Sequence, residues 1–138
     1  MFIDASAIVA ILGREPGHEE IEKRLADAGG PFFLSPLVTF EASVALARQK
    51  TMGGPPSAGL LRQAQAAVDA FADDLAAEEI AITAELGRMA VEASATYGKV
   101  VGHAAALNFG DCFAYACAKS LGVPLLYKGN DFAHTDLA

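Results

Sequence analysis

Four carboxylates in this sequence stand where they could act together on one ligand. Asp4 follows the apolar run Met1-Phe2-Ile3 and precedes the apolar stretch from Ala5 to Leu12, the point where a strand gives way to a helix. Asp111 follows Gly110 and opens a segment that is apolar on most sides, and Asp131 closes Lys128-Gly129-Asn130-Asp131 after the apolar run Val123 to Tyr127. On a helical wheel Glu41 falls beside Leu37 and Val44, at the edge of a buried stripe rather than opposite it. Each acid also has an ordinary role open to it. Asp4 and Asp111 can cap helices, Arg48 can neutralise Glu41, and Asp131 can be a solvated turn residue.

The conjunction carries more than any one residue. In an open parallel sheet, ligands bind outside the carboxyl ends of the strands, and Asp4, Asp111 and Asp131 are all predicted at or near that edge. Glu41, in the second turn of the helix leaving the second strand, reaches the same place. Four carboxylates packed together repel one another unless protons or a cation intervene, so the cluster implies a metal. Oxygen-only donors select a hard ion, Mg²⁺ or Mn²⁺, over zinc. Such a site orients water, lowers its pKa and stabilises charge building on a phosphodiester, which is the work that hydrolysis of RNA requires. Around the acids, Ser6 is placed to bond a carboxylate or a phosphate oxygen, or simply to serve the first helical turn. Lys99, His103, Lys128 and Asn130 lie in predicted loops near the acids in sequence and are candidate substrate contacts, with solvation as the ordinary alternative.

The elements that must position these residues can be read from pattern. Helices are expected over Ala5 to Leu12, Gly17 to Ala28, Ser35-Pro36 to about Lys50, Ser57 to about Ala77, Thr83 to about Tyr97, and Asp111 to Leu121. Short strands are expected at Met1 to Ile3, Pro31 to Leu34, Ile80 to Ile82 and Val123 to Tyr127, with Gly53-Gly54-Pro55-Pro56 a clear break and Gly98 to Gly110 a loop. Strands alternating with helices predict a single α/β domain, 1–138, with a mainly parallel central sheet and helices on both faces.

Composition narrows the function. A net charge of −7 argues against coating nucleic acid by bulk attraction, yet leaves room for an enzyme that grips RNA through bound metal and a few local cations. The apolar stretch near the start is too short to cross a bilayer and lacks the flanks of a secretory leader, so a cytoplasmic protein without membrane association is expected. Cys112 and Cys117, five apart within a predicted helix, suit neither a redox pair nor a zinc knuckle and are expected to be buried free thiols.

Three segments resemble one family. Phe2-Ile3-Asp4-Ala5-Ser6-Ala7, Leu107-Asn108-Phe109-Gly110-Asp111-Cys112-Phe113-Ala114-Tyr115 and Leu125 to Asp136 look, in order and spacing, like the PIN-domain ribonucleases, specifically the VapC toxins of bacterial toxin–antitoxin pairs. The resemblance implies a Mg²⁺-dependent endoribonuclease with Asp4 and Asp111 as direct metal ligands, Glu41 as the third acid and Asp131 as the fourth. Many relatives carry an acidic or amide residue where Gly129 stands, which leaves Asn130 or Asp131 to fill the fourth position. It further implies a homodimer, and a VapB-like antitoxin whose C-terminal segment wraps the toxin and blocks its site. Two other readings remain open: a PIN-fold binding module without catalysis that acts with an antitoxin, and an aspartate-based phosphatase, although Ser6 stands where such a phosphatase wants a second aspartate.

Overall fold

The computed structural model describes residues 1–138 and contains four strands and six α-helices. In chain order these are β1 (Phe2–Ile3), α1 (Ala5–Leu12), α2 (His18–Ala28), β2 (Phe33–Leu34), α3 (Pro36–Gln49), α4 (Ala58–Asp74), β3 (Glu78–Glu79), α5 (Ala84–Tyr97), α6 (Phe109–Leu121) and β4 (Leu125–Leu126), with a 3-10 turn at Lys99–Val101. The strands form one parallel sheet in the order β3-β2-β1-β4.

This order explains where a site can form. From β1 the chain steps outward to β2 and again to β3, then crosses back over the sheet to β4 on the far side of β1. Parallel crossovers are right-handed, so the first two connections lie on one face and the return, carrying α5 and α6, lies on the other. The direction of winding reverses between β1 and β4, and the crevice at their carboxyl ends is the natural binding place in such a sheet.

Strands β1 and β4 are apolar because both of their faces are covered. Phe2, Ile3, Leu125 and Leu126 are all buried, and the amide of Asp4 extends the β1–β4 ladder by donating to the Leu126 carbonyl at 2.9 Å. Helix starts follow the expected chemistry: Ser35, Ser57 and Thr83 each cap a helix through the side-chain oxygen, and Pro36 occupies the first turn of α3. The two cysteines are buried free thiols, as expected. No helix is long and apolar enough to cross a membrane.

Two elements lie elsewhere than the sequence pattern indicates. The third strand is Glu78–Glu79 rather than Ile80 to Ile82. As one of the two edge strands, with both side chains exposed, it is defined by backbone pairing alone: Glu78 N–H donates to Phe32 and Ile80 N–H to Leu34, both at 2.9 Å. The last helix begins at Phe109, not Asp111. Asn108 takes the cap, and Asp111 falls in the first turn.

Candidate active site

Asp4 is fixed by its place between β1 and α1. It caps α1, its Oδ2 accepting from the Ser6 backbone N–H at 2.9 Å and from the Ser6 hydroxyl at 2.5 Å. The Ser6 hydroxyl in turn accepts the backbone N–H of Lys128, just past β4, at 3.0 Å. Ser6 therefore ties the end of β1 to the end of β4, and its oxygen is used between Asp4 and Lys128 rather than turned to a ligand.

Asp111 is fixed by a capping box. Its backbone N–H donates to the Asn108 side chain at 3.1 Å, and its Oδ2 accepts the Asn108 backbone N–H at 2.8 Å. Asp4 takes its expected cap, while Asp111 yields the cap to Asn108 and bonds back to it from the first turn, and neither role consumes the whole carboxylate: the hydrogen bonds that orient Asp4 and Asp111 fall on Oδ2 in each case.

Glu41 reaches these two acids from α3. Its carboxylate lies against the first turn of α6 so closely that a Cβ at Gly110 would run into both of its oxygens. No ion pair joins Glu41 to Arg48, the partner its helical position suggests. Asp131 arrives from the loop after β4, which is held down by the buried Phe132, whose ring packs on Tyr127 with centroids 5.0 Å apart. Asp4, Glu41, Asp111 and Asp131 line one cleft of about 800 Å³, together with Ser6, Glu15, Phe40, Arg48, Asn108 and Lys128.

The electrostatics are those of uncompensated negative charge. Burial pushes the Glu41 carboxyl up to about 7, with the charges of Asp4 and Asp111 adding to the effect. Asp111 is pushed up to about 6, mainly by burial and further by Asp4 and Asp131, against the lowering hydrogen bond from Asn108. Asp4 is raised by burial, which outweighs its bonds from Ser6.

The donor set suits a hard cation that keeps most of its own water and needs only one or two carboxylates directly. No three acidic, histidine or cysteine side chains form a closed ligand cage in this geometry. The pair whose orienting bonds leave one oxygen each is Asp4 and Asp111. The residues present fit such an ion by their oxygen donors and by the mutual repulsion that a cation would relieve.

The remaining expected contacts divide. Lys128 lines the cleft, but its ammonium pairs with Glu15 at 2.5 Å, and Gln49 holds the other oxygen of Glu15 at 2.6 Å. Lys99 sits in the 3-10 turn beside a separate, mostly apolar hollow. His103 serves its own loop: Nδ1 accepts from the Ala105 N–H at 3.1 Å, and the ring packs edge-on against Tyr97. Neither Lys99 nor His103 lines the acid cleft, because closeness in sequence to Asp111 is spent on the turn preceding α6. Asn130 is exposed and its backbone carbonyl accepts the Ala133 N–H, whereas Asp131 lines the cleft. Sequence reasoning missed Glu15, Phe40 and Asn108. Only Asn108 left a signal, as an Asn three residues before an acid at a helix start.

Fold and cleft together define a class. The model of the PIN domain family matches residues 1–137, and the chain belongs to the PIN-domain family, in its VapC ribonuclease branch. It is 54% identical over 139 residues to a VapC ribonuclease of Rhizobium meliloti, covering 99% of this chain and 98% of the relative. Ribonuclease VapC30 of Mycobacterium tuberculosis is 38% identical over 100% of this chain and 96% of its own. Among solved structures, the fold matches that of Mycobacterium tuberculosis VapC20, a sarcin–ricin loop cleaving toxin, with a TM-score of 0.69 at 20% identity, covering 99% of this chain and 97% of that one.

Proposed function

We propose that this chain is the toxin of a toxin–antitoxin pair, an endoribonuclease that hydrolyses RNA with Mg²⁺, which Mn²⁺ can replace, at the cleft between Asp4, Glu41, Asp111 and Asp131. The observation that carries the proposal is the convergence of acids from three separate elements, β1–α1, α3 and α6, with repulsion among them and no ion pair from either cation of the cleft, Arg48 or Lys128, to any of the four. Asp4 and Asp111 would hold the ion, and a bound divalent cation supplies an activated water and compensates charge on the phosphate. Glu41, whose carboxylate reaches from α3 to the first turn of α6 beside Asp4 and Asp111, is the group placed to exchange a proton with the attacking water. Asp131, at the open side of the cleft, adds negative charge to Asp4 and Asp111 and so strengthens their hold on a cation. Ser6 and Asn108 keep the two ligand carboxylates in register.

The same reading has the chain working in the cytoplasm as a homodimer. A VapB-like antitoxin would silence it by bringing a guanidinium or ammonium among the acids, where it replaces the metal's charge and pairs with carboxylate oxygens. The test of catalysis is Asp4→Asn and Asp111→Asn, each assayed for cleavage of a mixed cellular RNA pool with Mg²⁺ and for folding by circular dichroism. Asparagine still accepts the capping hydrogen bonds but no longer attracts the ion. Each variant should stay folded and lose about a thousandfold or more in rate. Asp131→Asn should cost less. A folded double variant that cuts like the parent would overturn the proposal.

A further inference from the structure

The acid cleft has a wall that the chemistry above does not use. Phe40, Val44 and Arg48 recur at helical spacing along α3, and all three line the cleft, one position before Glu41 and Ala45 on the same face. Phe40 is 67% exposed, although large apolar side chains of α3 such as Val38 and Leu46 are buried. Its ring has open space on two sides, bordering the acid cleft on one and a second hollow of about 370 Å³ on the other. Arg48 is exposed and makes no ion pair or side-chain hydrogen bond, whereas the other cation of the cleft, Lys128, is held by Glu15.

The charge balance gives this wall a purpose. A protein of net charge −7, with five acids around one cleft, gains nothing from long-range attraction to a polyanion. Affinity for RNA must then come from contacts that do not depend on net charge, and an aromatic face meets that need because every base presents a π surface to stack on. A single unpaired guanidinium supplies the local phosphate contact, in a planar geometry that fits phosphate oxygens two at a time. Phe40 and Arg48 are eight residues apart, roughly 12 Å along the helix, so they address different parts of one bound strand.

We infer that Phe40 is a stacking platform for one unpaired base of the RNA beside the cleaved bond, and that Arg48 binds a backbone phosphate of the same strand. This rests on the ribonuclease reading and adds to it which residues grip the substrate. The pair makes this wall of α3 the part of the site that selects unstacked nucleotides, while the acids perform the chemistry.

The test is steady-state cleavage of a defined RNA oligonucleotide by the full chain with Mg²⁺, comparing Phe40→Ala, Phe40→Leu and Phe40→Tyr. Alanine and leucine should raise KM about 5- to 100-fold with kcat little changed, and tyrosine should stay near the parent, because the ring and not apolar bulk is required. A scan of single abasic nucleotides near the cleaved bond should reveal one position at which parent and Phe40→Ala become equal. Arg48→Ala should lower the slope of log KM against log salt by about 0.7, the loss of one single-strand phosphate contact. Unchanged KM in Phe40→Ala, or full rescue by leucine, would overturn the inference alone. An unchanged KM with weakened grip by the antitoxin would do so too, assigning the ring to the protein partner. A parent chain that cuts no RNA would overturn the ribonuclease reading and this inference with it.

Discussion

Gly110 offers a substitution in which stability and activity should move apart. The residue lies in the first turn of α6 without a left-handed φ, so alanine is conformationally acceptable there and a better helix former by up to about 1 kcal/mol. Its added Cβ, however, would occupy the space of the Glu41 carboxylate. That obstacle is the far end of a flexible side chain, so the clash is relieved by turning the carboxylate aside, at a rotamer cost of about 1 kcal/mol. The two effects nearly cancel, and Gly110→Ala should melt within a few degrees of the parent. Catalysis is less forgiving, since displacement of a reacting group by about 1 Å is worth on the order of a hundredfold in rate. The assay is kcat for RNA cleavage at saturating Mg²⁺ beside a thermal melt, with Glu41→Gln as the benchmark for losing the third acid. Gly110→Ala should fall towards the Glu41→Gln rate. A folded Gly110→Ala that cuts as fast as the parent would refute the placement of Glu41 as a working part of the site.

Two further outcomes follow from the same cluster. In chelator, Glu41 and Asp111 keep their protons up to about pH 7 and 6, whereas in the unfolded chain they ionise near 4; the folded state thus binds more protons in that window, and stability should fall as pH rises from about 4 to 7. After allowance for solvent screening the loss is on the order of 2 kcal/mol, several degrees in Tm, and millimolar Mn²⁺ should restore more of it at pH 7.5 than at pH 5; a Tm that rises with pH in chelator would contradict this. Ser6→Ala removes the hydroxyl between Asp4 and Lys128 and should raise the Mg²⁺ concentration for half-maximal activity about 10- to 100-fold, read by metal titration, and an unshifted titration would show that Ser6 does not set the carboxylate.

What the sequence discloses about this molecule depends on how local the cause is. Caps at Ser35, Ser57 and Thr83 announce themselves because side chain and target amide lie within one turn. Asp4 is equally legible, since apolar runs flank it on both sides. The strand Glu78–Glu79 is invisible because an exposed edge needs only backbone partners, and no apolar alternation marks it. Glu41 could be placed on a helix edge but not against Gly110, a contact between α3 and α6 that only the sheet order creates. Lys99 and His103 show the converse error: both are close to Asp111 along the chain, yet the turn at Lys99–Val101 takes them away from the acids. The pairing of Lys128 with Glu15 likewise joins residues that no local pattern connects.

The bond from the Lys128 amide to the Ser6 hydroxyl spans 122 residues of chain. On a ribosome adding about 5–20 residues per second, one end of that bond waits on the order of ten seconds for the other. Through most of that interval Asp4 exists without Asp111 or the β4 strand that squares its backbone, and through all of it without Asp131, so a metal has no completed cleft to enter. A protein able to cut RNA is thereby built beside the machinery that contains RNA with its own site unfinished. The cleft closes only when the segment carrying β4 has emerged.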